Sequence, residues 1–232
     1  MSEAAIASVP AEAATPGGRK NPATLFLIIG VIGLIVALFG LVTGLQGGSG
    51  RAGLSWLLGF SFWFAALVGM LFLVQLSYVF DAGWSTIVRR QMEHFLGAFP
   101  ILFLLLVPVI ALPFFVGDNP GMVWKWLNLD NVLPGVHPTR VGDDPLYLSK
   151  AAFLNETSLI IGLVVSFVIF CGLSFVLRKN SFTNDFQPDA KHYANCRKCS
   201  GAGLFLTPIA TTIMVMFLML FAFGVCIPLA ST

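Results

Sequence analysis

Charge is what this chain of 232 residues has least of: Asp, Glu, Lys and Arg make up only 10% of it, against 57% hydrophobic residues. A typical soluble domain carries about 25% charged residues, so an ordinary globular fold is excluded. Five runs contain no Asp, Glu, Lys, Arg or His at all, namely 24–45, 54–80, 95–116, 158–177 and 202–229. Each has about the 20 residues that an α-helix needs to cross a bilayer.

The uncharged runs also decide the fold class. Backbone amides find no water partner in lipid, so such runs must be helical, and they are too long for barrel strands of about 10 residues. We predict an all-α fold, a polytopic transmembrane helical bundle over 24–229 with about five spans. Residues 1–23, rich in Ala and Pro, predict a disordered cytoplasmic tail. A cleavable signal peptide is the alternative, but the first run exceeds an h-region of about 7–15 residues.

The distribution of Lys and Arg predicts the orientation. With the N-terminus inside, nine of the 13 basic residues face the cytoplasm: Arg19, Lys20, Arg89, Arg90, Arg178, Lys179, Lys191, Arg197 and Lys198. The other four face outward: Arg51, Lys125, Arg140 and Lys150. This excess of inner positive charge favours a cytoplasmic N-terminus. The segment 117–157 is then periplasmic, and its acidic residues, with Trp124 and Trp126 near the membrane surface, predict a docking face for an external partner.

Histidine and cysteine are scarce, with three and four residues. A haem held by two histidines between helices needs histidines within spans, yet His94 lies at a span boundary and His137 and His192 fall in predicted loops. The cysteines are too dispersed for an iron–sulfur cluster. We therefore expect no cofactor bound by this chain. The net charge of +2 is too small to indicate nucleic-acid binding.

One loop between spans offers weak metal ligands. His192, Cys196 and Cys199 have the spacing of a metal knuckle, but they are one ligand short of the four that structural zinc takes. Reduced free thiols are the other interpretation.

Small residues and prolines predict how the helices pack. Gly40 with Gly44 in the first run, and Gly59, Ala65, Ala66 and Gly69 in the second, would allow a neighbouring helix to approach closely. Ordinary contacts within the bundle are the other interpretation. Prolines in the third run, and Pro208 in the fifth, predict kinks of the kind that often border a cavity.

The most specific string, residues 81–93, links the second and third runs. If its second half is helical, Arg89 and Arg90 reach Glu93 at spacings i,i+4 and i,i+3. Membrane anchoring is one interpretation, because Trp and Arg side chains favour the headgroup layer. Contact with a ligand or another subunit is the other. The side chains that could contact a quinone or lipid headgroup are Gln75, Trp84, Arg89, Arg90, Glu93 and His94.

The same string carries a resemblance. Ala82-Gly-Trp-Ser-x4-Arg-x2-Glu93, then Pro100, Trp124 and Trp126, Leu146-Tyr-Leu, and Lys150-Ala-Ala-Phe-Leu-Asn155, are similar to the F subunit of alternative complex III. That family belongs with the polysulfide-reductase-type membrane subunits. The resemblance covers roughly residues 60–208, with only the Trp-Ser-x4-Arg and Lys-x3-Leu-Asn elements distinctive. The chain has about half the family's length, which indicates an N-terminal half or split form, and Glu156 stands where the family tends to place aromatic and Arg residues.

The resemblance implies a non-catalytic membrane subunit of a bacterial quinol:cytochrome c oxidoreductase, or one with another periplasmic acceptor. Its implied partners are lipids, a sister subunit that carries the quinol site, and periplasmic iron–sulfur and haem c subunits in the inner membrane. Quinol is the substrate of the implied complex, and the interface with the sister subunit could carry protons. The resemblance implies no catalytic residue in this chain. A small transporter or channel and a scaffold or assembly protein are the alternatives.

Overall fold

The computed structural model describes residues 22–47, 50–115, 123–133, 139–186 and 190–220. The helices in this part of the chain are α1 (Pro22–Gln46), α2 (Arg51–Val79), α3 (Thr86–Phe95), α4 (Phe99–Phe115), α5 (Pro145–Lys150), α6 (Glu156–Phe186) and α7 (Ala190–Val215), which a π-helical turn, Met216–Leu220, extends. The short strands β1 (Val132–Leu133) and β2 (Thr139–Arg140) pair antiparallel, with Val132 opposite Arg140.

The predicted all-α membrane bundle is confirmed. Within the described residues, five helical segments are long and apolar enough to cross a membrane: Thr24–Gln46, Arg51–Val79, Gly83–Leu112, Glu156–Thr183 and Lys191–Leu218. The third segment joins α3 to α4 through a 3₁₀ turn, Leu96–Ala98. The predicted tail lies outside the described residues except for its last two positions, which already belong to α1, and so does the end of the fifth predicted span beyond residue 220.

The chain divides into two units, Met1–Phe39 and Gly40–Thr232. In the first, the described part is the greater length of α1, whose apolar side chains, such as Phe26 and Phe39, are exposed. All contacts described below lie within the second unit.

Aromatic rings form the centre of the second unit. Phe170 of α6 is fully buried, stacks on Phe99 of α4 at 5.3 Å between ring centroids, and meets Phe64 of α2 edge-on at 5.4 Å. Such ring pairs contribute about 0.5–1.5 kcal/mol each beyond the area that they bury. The apolar contacts of α2, α4 and α6 thus meet on one ring.

The segment between α4 and α6 packs onto the bundle. Trp124 and Trp126 are buried, and Val123 fills the space that a side chain at Gly53 of α2 would need, 2.5 Å from the position of such a Cβ. The two tryptophans therefore belong to the core, and the prediction that they contribute to an exposed docking face is wrong. Exposed charge remains there in Asp130, which lies 3.8 Å from Arg140.

Asn155 begins α6 as an N-cap. Its Oδ1 accepts a hydrogen bond of 2.7 Å from the backbone N–H of Ser158, which has no partner within the helix. Its Nδ2 donates back to the Ala152 carbonyl at 2.9 Å. The Lys-x3-Leu-Asn element thus has a local structural role: it ends one turn and starts the next helix.

The predicted close approach of a neighbouring helix is confirmed at one glycine and not at three others. A Cβ at Gly44 would meet the Cβ of Ala52, so close approach is confirmed at this position. Positions 40, 59 and 69 have nothing within 4 Å of an added Cβ, so the predicted close neighbour at them is absent among the described residues. Pro208 lies inside α7 without ending it.

Candidate functional site

The site begins where α2 ends. Asp81 has a φ of 51°, a left-handed conformation that glycine usually adopts after a helix, and the N–H of Ala82 reaches back to the Ser77 carbonyl at 3.0 Å. The Asp81 carboxylate accepts a short hydrogen bond from the hydroxyl of Tyr193 on α7. This pairing connects the turn to a helix more than one hundred residues later.

Helix α3 has two contrasting faces. Trp84 in the turn before it is 90% exposed, and Ile87 and Val88 are also exposed. Glu93, on the opposite face, is fully buried. Exposed apolar residues beside charged ones are typical of a helix at the membrane surface, so the predicted interfacial position of the string is consistent with this geometry.

Glu93 lies at the centre of a polar cluster that we call the Glu93 clasp, formed by Tyr78, Arg89, Arg90, Glu93 and Ser181. The Tyr78 hydroxyl donates to Oε1 at 2.7 Å, and the Ser181 hydroxyl donates to Oε2 at 2.6 Å. Arg90 Nη1 donates to Oε2 at 2.9 Å, and Arg89 Nε lies 3.7 Å from Oε1. Both predicted ion pairs are confirmed, and the carboxylate accepts bonds on both of its oxygens.

Aromatic faces hold the two arginines. The Arg89 guanidinium lies over the Tyr78 ring at 4.4 Å, and that of Arg90 lies over Phe182 at 4.2 Å. A cation over an aromatic face contributes about 0.5–2 kcal/mol, depending on how far it is desolvated. His94 also contacts Phe182, with 5.1 Å between ring centroids. The guanidinium groups are thus oriented before any ligand arrives.

A further arginine reaches the same region. The side chain of Arg178 on α6 fills the position that a Cβ at Gly97 would occupy, in the 3₁₀ turn between α3 and α4. Its guanidinium lies 5.6 Å from the Phe182 ring centroid. Glycine at position 97 therefore permits the arginine to lie against the turn.

The predicted metal loop is not a loop. His192, Cys196 and Cys199 lie within α7 because this helix begins at Ala190, earlier than the predicted fifth span. Cys196 is buried, and its Sγ donates to the Leu177 carbonyl at 3.8 Å. Among the described residues, no three His, Cys, Asp or Glu side chains are grouped so that they could hold a metal ion.

Gln75 lies apart from the clasp. It is fully buried between α2 and α7, where Nε2 donates to Thr207 Oγ1 at 2.9 Å. Gly203 provides the room, since a Cβ there would be 2.5 Å from Nε2. The pair satisfies two polar groups inside an apolar interface. This burial argues against the sequence-based prediction that Gln75 contacts a quinone or lipid headgroup.

Two concave regions adjoin these residues. The first, which we call the arginine cleft, has a volume of about 400 Å³ and is lined by residues of α2, α3, α6 and α7, among them Tyr78, Arg89, Arg90, Asn180, Ser181 and Cys196. The second is an apolar groove of about 630 Å³ between α2 and α7, lined in part by Ala65, Gly69 and Pro208. The cleft is the better candidate site because it is polar and charged.

Sequence reasoning missed two of the five clasp residues. Tyr78 and Ser181 are the other partners of Glu93, and Tyr193 binds Asp81. Only Tyr78 had a usable signal, since it stands one turn before the end of the second run. Ser181 follows the fourth run and Tyr193 precedes the fifth. Both are far from residues 81–93 in the sequence, so no local spacing linked them to the string.

Comparison with known proteins adds no family. No family model matches the chain, and no curated protein is significantly similar to it. The resemblance to the F subunit of alternative complex III therefore stays a prediction.

Proposed function

We propose that the chain is a non-catalytic integral subunit of a membrane complex that oxidises quinol and passes the electrons to cytochrome c or another periplasmic acceptor. Its partners would be the sister subunit with the quinol site and periplasmic iron–sulfur and haem c subunits, in a bacterial inner membrane. The proposal rests on the resemblance, whose Ala-Gly-Trp-Ser-x4-Arg-x2-Glu motif contributes two of the five clasp residues, Arg90 and Glu93.

The clasp supports a structural role rather than a chemical one. A carboxylate that exchanges protons with a substrate needs an open side, but Glu93 is fully buried and accepts hydrogen bonds from Tyr78, Arg90 and Ser181. Charge-assisted bonds of this kind position groups firmly. This buried carboxylate, which connects the string to α2 and α6, is the observation that supports the non-catalytic, structural part of the proposal.

The polar groups at membrane depth support the same role. Gln75 pairs with Thr207, and the Ser166 hydroxyl donates to the Ala210 carbonyl at 3.4 Å. Each pair joins two helices, whereas a transporter places such groups around a substrate path. These contacts favour a subunit of fixed structure.

Purification of the tagged chain from native membranes in mild detergent tests the proposal. We expect subunits with c-type haem and iron–sulfur clusters to co-migrate with it, together with quinol oxidation activity. A chain that migrates alone, or with partners that hold no redox centre, would contradict the proposal and favour the transporter or scaffold alternatives. In the same assay, Glu93→Ala should cause loss of this subunit from the complex. Glu156→Ala, which changes the exposed glutamate that begins α6, is the matched control and should leave the complex intact.

The proposed orientation has its own test. In a background without cysteines, Asp143→Cys should react with a membrane-impermeant maleimide from the periplasm, and Lys198→Cys should react only after permeabilisation. Both positions are exposed, so access to the reagent depends on the side of the membrane. The reverse pattern would place the N-terminus outside.

A further inference from the structure

We propose that the arginine cleft binds the phosphate of an anionic phospholipid, such as phosphatidylglycerol. The cleft opens between four helices and presents two oriented guanidinium groups, Arg89 and Arg90, with Asn180 and Gln91 beside them. Basic pockets between transmembrane helices are a known way to hold anionic headgroups. The proposal is independent of the respiratory function above, because it depends only on the cleft and its position.

Charge at this end of the bundle favours an anion. Around the junctions of α2 with α3 and of α6 with α7, the basic residues are Arg89, Arg90, Arg178, Lys179, Lys191, Arg197 and Lys198. The acidic residues in the same stretches are Asp81, Glu93, Asp185 and Asp189. The cleft wall itself holds two arginines and the Glu93 carboxylate, and Tyr193, which also lines it, hydrogen-bonds the carboxylate of Asp81. The excess of positive charge therefore lies in the basic residues around the cleft rather than in its wall.

Arg89 is the residue best placed to hold a phosphate. Its Nε lies 3.7 Å from Glu93, which is longer than a hydrogen bond, whereas Arg90 binds the same carboxylate at 2.9 Å. A guanidinium has five N–H donors in a planar fork that fits phosphate oxygens. Tyr78 holds the Arg89 group by its ring face, and the Tyr193 hydroxyl lies beside it as one acceptor, so a phosphate would share the edges of the fork with Tyr193.

The exposed residues around the cleft place it at headgroup depth. Phe80, Trp84 and Ile87 are 75%, 90% and 81% exposed, and they surround the turn from α2 into α3. Aromatic rings of this kind concentrate where acyl chains meet headgroups. A lipid whose chains lie against these side chains would bring its phosphate to the cleft, so we choose a lipid rather than a free phosphate ion as the ligand.

The test is native mass spectrometry of the delipidated full chain in detergent, titrated separately with phosphatidylglycerol, phosphatidylethanolamine and inorganic phosphate. We expect phosphatidylglycerol to bind about fivefold more tightly than phosphatidylethanolamine, since a Lys or Arg near the surface contributes about 1 kcal/mol toward an anionic lipid. Inorganic phosphate should neither bind nor compete. Equal binding of the two lipids, or displacement by inorganic phosphate, would overturn the proposal.

Matched variants locate the site. Arg89→Gln should abolish the preference for phosphatidylglycerol, and Arg89→Lys should restore part of it. Arg197→Gln removes the same charge from an exposed position on α7 that does not line the cleft, so it should leave the preference intact. An equal loss in both Gln variants would indicate general surface charge and refute the cleft. Should Arg89→Gln not fold, Arg89→Lys compared with Arg197→Gln still locates the site: a weaker preference in the first and an unchanged one in the second supports the cleft, and an equal change in both refutes it.

Discussion

Removal of the Glu93 carboxylate is the most direct test of the clasp as the element that holds three helices together. Glu93→Ala deprives Tyr78 and Ser181 of their acceptor and leaves the two arginines without their counter-ion. Loss of one member of a buried ion pair costs about 3–5 kcal/mol, and each buried hydroxyl left without a partner about 1–3 kcal/mol.

The structure places the expected loss at the lower end of this range. The side chains of Arg89 and Arg90 are 15% and 26% exposed, so they can turn toward water or headgroups once Glu93 is gone. Arg90 also keeps its 2.7 Å bond to Ser181. We therefore expect a decrease of about 3 kcal/mol in the free energy of unfolding, and about 1–2 kcal/mol for Glu93→Gln, which retains hydrogen bonding.

Equilibrium unfolding in mixed detergent and dodecyl sulfate micelles, followed by tryptophan fluorescence, measures these differences. Glu156→Ala is again the control; this exposed residue lies in the first turn of α6, where a carboxylate contributes about 0.3–1 kcal/mol through the helix dipole. If Glu93→Ala loses no more than Glu156→Ala, the carboxylate does not hold the helices together, and the string is only an interfacial anchor.

Three further predictions use the same unfolding measurement. Gly97→Ala should cost no more than about 1 kcal/mol, because the Arg178 guanidinium that the new methyl group meets is the end of a flexible side chain and can shift. Gly59→Ala, which meets open space, should be neutral or stabilising, and equal effects of the two variants would contradict the assigned contact. Asn155→Ala should cost about 0.5–2 kcal/mol through loss of the cap. Asn155→Asp keeps the acceptor oxygen, so a loss of the same size in that variant would argue against capping. Asp81→Val should cost about 1–2 kcal/mol more than Tyr193→Phe, because valine adds backbone strain to the lost hydrogen bond, and equal losses would refute that strain.

The sequence was sufficient for the spans because lipid imposes one simple rule on composition. The absence of charge located all five, and the i,i+3 and i,i+4 spacing located both ion pairs of Glu93. Helix ends were less predictable. Arg178 and Lys179 continue α6 beyond the apolar run, and His192 already lies in α7, because a helix can extend past the hydrocarbon layer with polar residues.

Contacts between distant elements could not be predicted. Nothing local distinguishes Ser181 from the other serines near span ends, and its role depends on α6 passing beside α3. Nothing in the sequence distinguishes Gly97 from other glycines, but in the structure the Arg178 guanidinium occupies the space that a Cβ at this position would need. Trp124 and Trp126 were misplaced for a related reason: tryptophan is common at the membrane surface, and only tertiary packing decides whether it turns inward.

The order in which the clasp residues are synthesised has a consequence for membrane insertion. Tyr78, Arg89 and Arg90 emerge from the ribosome together with Glu93, whereas Ser181 follows 88 residues later. A lone carboxylate entering the bilayer is costly, but this one enters with its counter-ions one turn away. We expect the first three spans to insert without waiting for the fourth, and the arrival of α6 to complete an assembly whose carboxylate is already paired.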